Sequence, residues 1–192
     1  GGGSGLGEAT ARELARLGAK VAVLDVNLAN AEKVAAEING IACQCDITNT
    51  DSLQAAIAKA AAAHGPARIL MNIAGIGSAK RVVGKDGSPA PLEDFARVIN
   101  VNLIGTYNAS RLFAAECAKL SPLADGERGV MLFTASVAAF DGQVGQQAYS
   151  ASKGGLVGMT LPMARDLAQH GIRVCTIAPG LFATPLMRQL PE

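Results

Sequence analysis

Short aliphatic runs alternate along this chain with Ala-rich stretches of helical length, and that alternation restricts its folds more than any other feature. The runs fall at Lys20–Leu24, Ile41–Cys45, Arg68–Asn72, Val130–Thr134 and Arg173–Ala178. They are strand-sized and largely apolar without strict alternation, the pattern of strands buried on both faces. Between them the spacing predicts helices over Glu8–Leu17, Ala29–Ile38, Asp51–His64, Leu92–Leu120 and Ala148–His170. Repeated strand–helix units close as a parallel sheet covered by helices on both faces, an α/β fold in three layers. At 192 residues, of which 49% are hydrophobic, the chain suits a single domain spanning 1–192.

The punctuation agrees with these elements. Gly18, Gly40, Gly65 and Gly171 follow four of the helices as C-terminal caps. Asn49-Thr50-Asp51 offers capping oxygens to the third helix, and Pro91-Leu92-Glu93-Asp94 places Pro and acids in the first turn of the fourth. Pro162 deletes a backbone bond and is expected to bend the last helix. Ile76–Ala90, which holds Gly84, Asp86, Gly87, Ser88 and Pro89, reads as a surface loop.

Composition narrows the function. A net charge of +1 with scattered Lys and Arg gives no electrostatic reason for a nucleic-acid or membrane partner, which leaves a small-molecule substrate. Cys43, Cys45, Cys117 and Cys175 lack metal-site spacing and lie in apolar runs, so they read as reduced core thiols and no metal is expected. No apolar stretch reaches the roughly 20 residues that span a bilayer. The expected location is cytoplasmic, or the mitochondrial matrix in a eukaryote. The chain opens on a glycine turn with no strand leading into it, and ends soon after a strand-like run, so extensions at both ends are expected.

The chemistry concentrates in Thr134-Ala135-Ser136 and Tyr149-Ser150-Ala151-Ser152-Lys153. A Tyr and a Lys four apart share one helix face. A phenol titrates at about 10, and a cation within roughly 4–6 Å is expected to draw it toward neutrality, where a general base works. Ser136 can hydrogen-bond the reacting oxygen. Upstream, Gly1, Gly5 and Gly7 with Ser4 and Leu6 open the first helix, where glycines let backbone amides approach a pyrophosphate. Asp25 ends the next strand and can accept both hydroxyls of an adenosine ribose while repelling a 2′-phosphate, so NAD is expected over NADP. Asp46, and then Asn72-Ile73-Ala74-Gly75, end the following two strands, where ligands of such sheets bind. Asn102 stands in a helical run that disfavours Asn, which suggests a local polar role or a surface position. His64 and His170 read as solvated helix ends, and Pro179-Gly180 as the turn after the last strand, at the sheet's ligand edge and so a candidate for cofactor contact.

As an ordered set these residues resemble the short-chain dehydrogenase/reductase family, whose motifs run Thr-Gly-xxx-Gly-x-Gly, Asn-Asn-Ala-Gly, helical Asn, Ser, Tyr-xxx-Lys and Pro-Gly. The Thr is absent because the chain starts at Gly1, and Ile73 replaces the second Asn. Thr134–Pro185 and the Ile76–Ala90 insertion look like the branch of that family acting on 3-hydroxyacyl-CoA. The resemblance implies a Rossmann-type doubly wound sheet whose first strand and C-terminal segment are not in this sequence. It implies Tyr149 as general acid/base, and Lys153 lowering its pKa and holding the nicotinamide ribose. Ser136 would orient the substrate, and Asn102 would order a water between Lys153 and solvent. Ser4 and Leu6 would meet the pyrophosphate, Asp25 the ribose, Asp46 and Ile47 the adenine, and Ile73 the adenosine. Phe182 and Thr184 would close on the nicotinamide, and Gln143 and Gln146 would shape the substrate site. It implies an NAD-dependent alcohol dehydrogenase, commonly a homotetramer or homodimer assembled through the helices at Leu92–Leu120 and Ala148–His170. The competing readings are a 3-oxoacyl thioester reductase, a steroid or sugar alcohol dehydrogenase, and a non-catalytic NAD-binding scaffold.

Overall fold

The computed structural model describes residues 1–77 and 79–184; Ser78, inside the expected loop, and the tail 185–192 lie outside the described residues. The order is α1 (Gly5–Arg16), β1 (Ala22–Asp25), α2 (Leu28–Glu37), β2 (Ile41–Gln44), α3 (Thr50–His64), β3 (Ile69–Asn72), α4 (Leu92–Ile99), α5 (Thr106–Cys117), β4 (Gly129–Thr134), α6 (Gln147–Leu167) and β5 (Ile172–Ile177). Among the described residues every strand pairing is parallel, as helical crossovers require. They form two ladders, β1–β2 and β3–β4–β5, rather than one continuous sheet. Between the ladders the Gly1–Gly3 segment lies at the carboxyl ends: Gly2 N donates to Leu24 O at 3.0 Å, and a Cβ on Gly1 would stand 2.6 Å from the Ala74 backbone.

Around β1–β2 both faces are covered. Val23 packs with Ala11, Ala31, Val34 and Ala35 on one side, while Cys43 and Cys45 pack with Leu53, Ala56 and Ala109 on the other. Small alanines let the helices approach closely, and burial of these apolar surfaces contributes on the order of 25 cal/mol per Å². In the second ladder Met131, Phe133, Ile172 and Val174 pack against Phe113, Cys117 and Leu156. Its other side leaves Ile69 and Ile177 exposed, and Cys175 with them. Cys175 is therefore not a core thiol, because its alternate position in β5 points away from Ile172 and Val174.

Three local expectations change. The single helix over Leu92–Leu120 is α4 and α5 joined by a π-helical segment, Asn100–Gly105. The last helix, expected over Ala148–His170, begins at Gln147 and ends at Leu167, and a short 3-10 turn carries the chain on to His170. At the end of α2 the left-handed residue is Asn39 (φ 52°), not Gly40. Gly40 is there for space, since a Cβ would lie 2.6 Å from Val21 O. No helix among the described residues is long and apolar enough to cross a membrane.

Candidate functional site

The carboxyl ends of the strands surround a cavity of about 590 Å3. Its wall brings together Gly1, Ser4, Gly5, Leu6, Gly7, Asp25, Asp46, Ile47, Ile73, Ala74, Gly75, Ser136, Tyr149, Lys153, Pro179, Gly180, Phe182 and Thr184 from the sequence candidates. Asn72 and Asn102 stand behind that wall. Asn72 Nδ2 donates to Ser110 Oγ at 3.4 Å, and Asn102 is fully buried. Gln143 and Gln146 do not reach the cavity. They line a neighbouring recess of about 320 Å3, and Gln146 Oε1 accepts from Gln143 N at 2.9 Å, which commits that carboxamide to its own turn.

The glycine turn is shaped for an anion. Ser4 is extended and caps nothing with its side chain, Gly5 takes φ 54°, and a Cβ on Gly7 would collide with the Gly1 carbonyl. Among the described residues the backbone N–H groups of Gly5, Leu6 and Gly7 donate to no protein acceptor, so they face the cavity with the positive end of α1. The Asp25 carboxylate accepts from Gly3 N and Asn27 N, both at 2.9 Å, which fixes its plane and leaves one lone pair on each oxygen for a ligand. Asp46 accepts from both the amide and the hydroxyl of Thr48, the turn role that its sequence position also allowed. Ile47 is held by Asn108 Nδ2 on its carbonyl and by Gly105, whose missing side chain makes room for it.

At the other end, β4 delivers Ser136, whose Oγ accepts from Ala138 N at 3.1 Å and so keeps its proton free to donate. Tyr149 lies in the first turn of α6. Lys153 Nζ stands one turn on, 5.5 Å from the phenol ring centre, and donates to Thr134 O at 2.6 Å. Burial of this side chain, 4% exposed, lowers the ammonium pKa to about 8. The expected depression of the phenol is not found. Burial raises the Tyr149 pKa, and the neighbouring Ser136 hydroxyl opposes it only in part. The physical reason is that a low-dielectric site disfavours both charged forms, and Lys153 spends its short hydrogen bond on a backbone carbonyl.

Asn102 is clamped. Its Oδ1 accepts from Ile76 N at 2.8 Å, and its Nδ2 donates to Ile76 O and to Ser152 Oγ, both at 3.0 Å. The π-helical turn carries it inward, and Thr106 Oγ1 donates to its carbonyl at 2.8 Å. A Cβ on Gly75 would lie 3.3 Å from Asn102 Oδ1 and 3.5 Å from Lys153 Nζ, so glycine keeps open the space the two share. Sequence reasoning missed Cys45, Arg97 and Val101 in the cavity wall, and Ser152 behind it. Arg97 and Val101 lie four apart on the helical run, a spacing that could have marked them. His64 and His170 lie away from the cavity.

Residues 1–192 match the family described as short chain dehydrogenase. The chain belongs to the short-chain dehydrogenase family. It is an oxidoreductase that acts on CH–OH groups of a small molecule with a nicotinamide cofactor, in the Rossmann-type fold expected. It is 51% identical over 195 residues to the human protein named 3-hydroxyacyl-CoA dehydrogenase type-2, covering 100% of this chain and 75% of that one. Among solved structures it is similar to 3-hydroxyacyl-CoA dehydrogenase type-2 from Mycobacterium avium, with TM-score 0.93, 42% identity and coverage of 98% of this chain and 75% of that one. A 3-ketoacyl-(acyl-carrier-protein) reductase from Brucella melitensis, solved with NADH, aligns with TM-score 0.87 at 34% identity, over 98% of this chain and 76% of that one.

Proposed function

We propose that this short-chain dehydrogenase oxidises the 3-hydroxyl of a 3-hydroxyacyl-CoA reversibly with NAD. The observation that carries the reading is the opening of Asp25 and of Ser136, Tyr149 and Lys153 onto one cavity. The names of the relatives at 51% and 42% identity support the acyl-CoA substrate. The free amides at the start of α1 and the oriented Asp25 carboxylate fit a dinucleotide's pyrophosphate and adenosine ribose. Neither Val26 nor Cys45, beside Asp25 in the wall, is a cation that could offset a 2′-phosphate, which favours NAD. Bound there, the nicotinamide supplies the hydride acceptor.

The chain's own groups handle the proton. Ser136 donates to the substrate oxygen and aligns it with the phenol. Tyr149 takes the hydroxyl proton as the C–H bond breaks. With its phenol pKa raised in the free protein, Tyr149 depends on the positive charge of Lys153 to ionise, to which a bound oxidised nicotinamide would add its own. Lys153 would also hold the cofactor ribose, and Asn102 ties the relay to the start of the Ile76–Ala90 loop. Exposed Leu92, Phe95, Ile104, Tyr107 and Leu161 on α4–α6 support assembly as a dimer or tetramer. Three buried, free cysteines fit a reducing compartment, cytoplasm or mitochondrial matrix.

NADH formation, followed at fixed NAD with 3-hydroxybutyryl-CoA, a steroid and a sugar alcohol, tests the reading. The acyl-CoA is expected to give the highest kcat/KM, and replacing NAD by NADP is expected to lower the rate. Tight NAD binding with no turnover of any alcohol would favour a non-catalytic scaffold instead. Faster reduction of 3-oxoacyl groups on acyl carrier protein would favour the reductase reading.

A further inference from the structure

Ser152 sits between the two residues of the Tyr149–Lys153 pair in sequence, yet it is fully buried and turned away from the cavity. Its hydroxyl donates to Tyr149 O at 2.7 Å. A hydroxyl has one proton, so with that proton committed, Ser152 can only accept from Asn102 Nδ2, which lies 3.0 Å away. This polarity fixes which end of the Asn102 amide faces α6. The oxygen is then presented to Ile76 N, next to the opening at Gly75 that borders Lys153 Nζ. One hydroxyl therefore joins the backbone of the proposed base, the buried Asn and the first residue of the loop.

We propose that Ser152 is a positioning residue for proton transfer. It holds α6 against the π-helical segment so that Tyr149 and Lys153 keep their register with Asn102. It touches neither substrate nor cofactor, and it acts through Asn102. The inference rests on the dehydrogenase reading for its kinetic consequence and on the three hydrogen bonds alone for its structural one.

Ser152→Ala removes the hydroxyl with little change of volume, and a double-mutant cycle with Asn102→Ala measures the link. Kcat is expected to fall roughly tenfold with KM for the alcohol nearly unchanged, and the acid limb of the pH profile is expected to move upward. In the Asn102→Ala background Ser152→Ala is expected to cost little more. Should the alanine variant not fold, Ser152→Cys, a weaker hydrogen-bonding group, takes its place. A second readout needs no turnover. In ¹⁵N spectra of the cofactor-free protein both Asn102 side-chain amide protons are expected to exchange slowly, and Ser152→Ala is expected to release one of them. Wild-type kcat and pH profile in the variant, losses that multiply in the double variant, or unchanged amide exchange would each overturn the proposal. If the wild type turns over no alcohol, the dehydrogenase reading falls and the amide exchange still judges the Ser152 link.

Discussion

The two ends of the strands treat polar groups in opposite ways. At the amino ends of β3, β4 and β5, arginines satisfy the chain's own carbonyls. Arg68 donates to Arg128 O at 2.9 Å and Ser121 O at 3.1 Å, and Arg128 donates to Leu120 O at 2.8 Å and His170 O at 3.1 Å. These bonds tie the turn after α5 and the turn after α6 to the sheet. At the carboxyl ends the amides of Gly5, Leu6 and Gly7, the spare lone pairs of Asp25 and the hydroxyls of Ser136 and Tyr149 are aimed at open space instead. Groups completed within the protein serve stability, whereas groups left to be completed by something else serve binding and chemistry.

Substitutions at the two ends should therefore separate activity from stability. The largest effect is expected from Tyr149→Phe: kcat should drop by about a thousandfold while NAD affinity and Tm stay near wild type. Retained turnover would remove Tyr149 from its proposed role.

Next comes Lys153, whose burial costs the fold something that the site exploits. Its native pKa, about 8, lies below its ordinary value of 10.5, so between these the unfolded chain holds a proton that the native protein has released. Stability should therefore rise with pH from about 8 to 10, by about 2–3 kcal/mol, and be independent of this group below pH 8. The raised Tyr149 pKa works in the other direction only above about pH 10, where unfolded tyrosine ionises first. Lys153→Met should abolish turnover, raise Tm at neutral pH and flatten that rise. Denaturant titrations across the pH series check it, and a Tm that falls would show that the bond to Thr134 outweighs the buried charge.

At the opposite end Arg128→Ala should destabilise by about 2 kcal/mol, because Leu120 O and His170 O lose their donors, and leave kcat of the folded protein unchanged. A kcat that falls with the stability would erase the distinction between the ends. The smallest effect is expected at Gly75→Ala, whose new methyl presses on Asn102 Oδ1 by a few tenths of an ångström and only reaches ordinary contact with Lys153 Nζ. A severalfold loss of kcat with Tm within about a degree is expected, since the strain is confined to the site.

The legible parts of the site were those written as local patterns. Strand ends, the glycine turn, Asp25 and the i, i+4 pair follow from spacing, and all of these meet at the cavity. What escaped depends on distance or dielectric. The Tyr149 phenol was expected to be acidified by Lys153, yet burial raises it and lowers the lysine, a balance set by how deeply α6 seats on β4. Gln143 and Gln146 lie close in sequence to Tyr149, but the turn before α6 folds them toward each other. Gly40 looked like a helix cap and is a packing gap, because only the tertiary contact with Val21 shows the need. The interrupted ladder likewise depends on partners that a run of apolar residues does not name.

The π-helical turn at Asn100–Gly105 also makes this stretch sensitive to length. An α-helix advances about 100° per residue, so deleting one residue from the turn and letting regular helix form would rotate everything N-terminal to it by about that angle. Val98, buried at 1% exposure, would swing out of the core together with the rest of α4, and Arg97 would leave the cavity wall. A missing codon there is thus a change of phase for two whole turns of helix, and conservative substitutions within the turn should be borne far better than any change in its count.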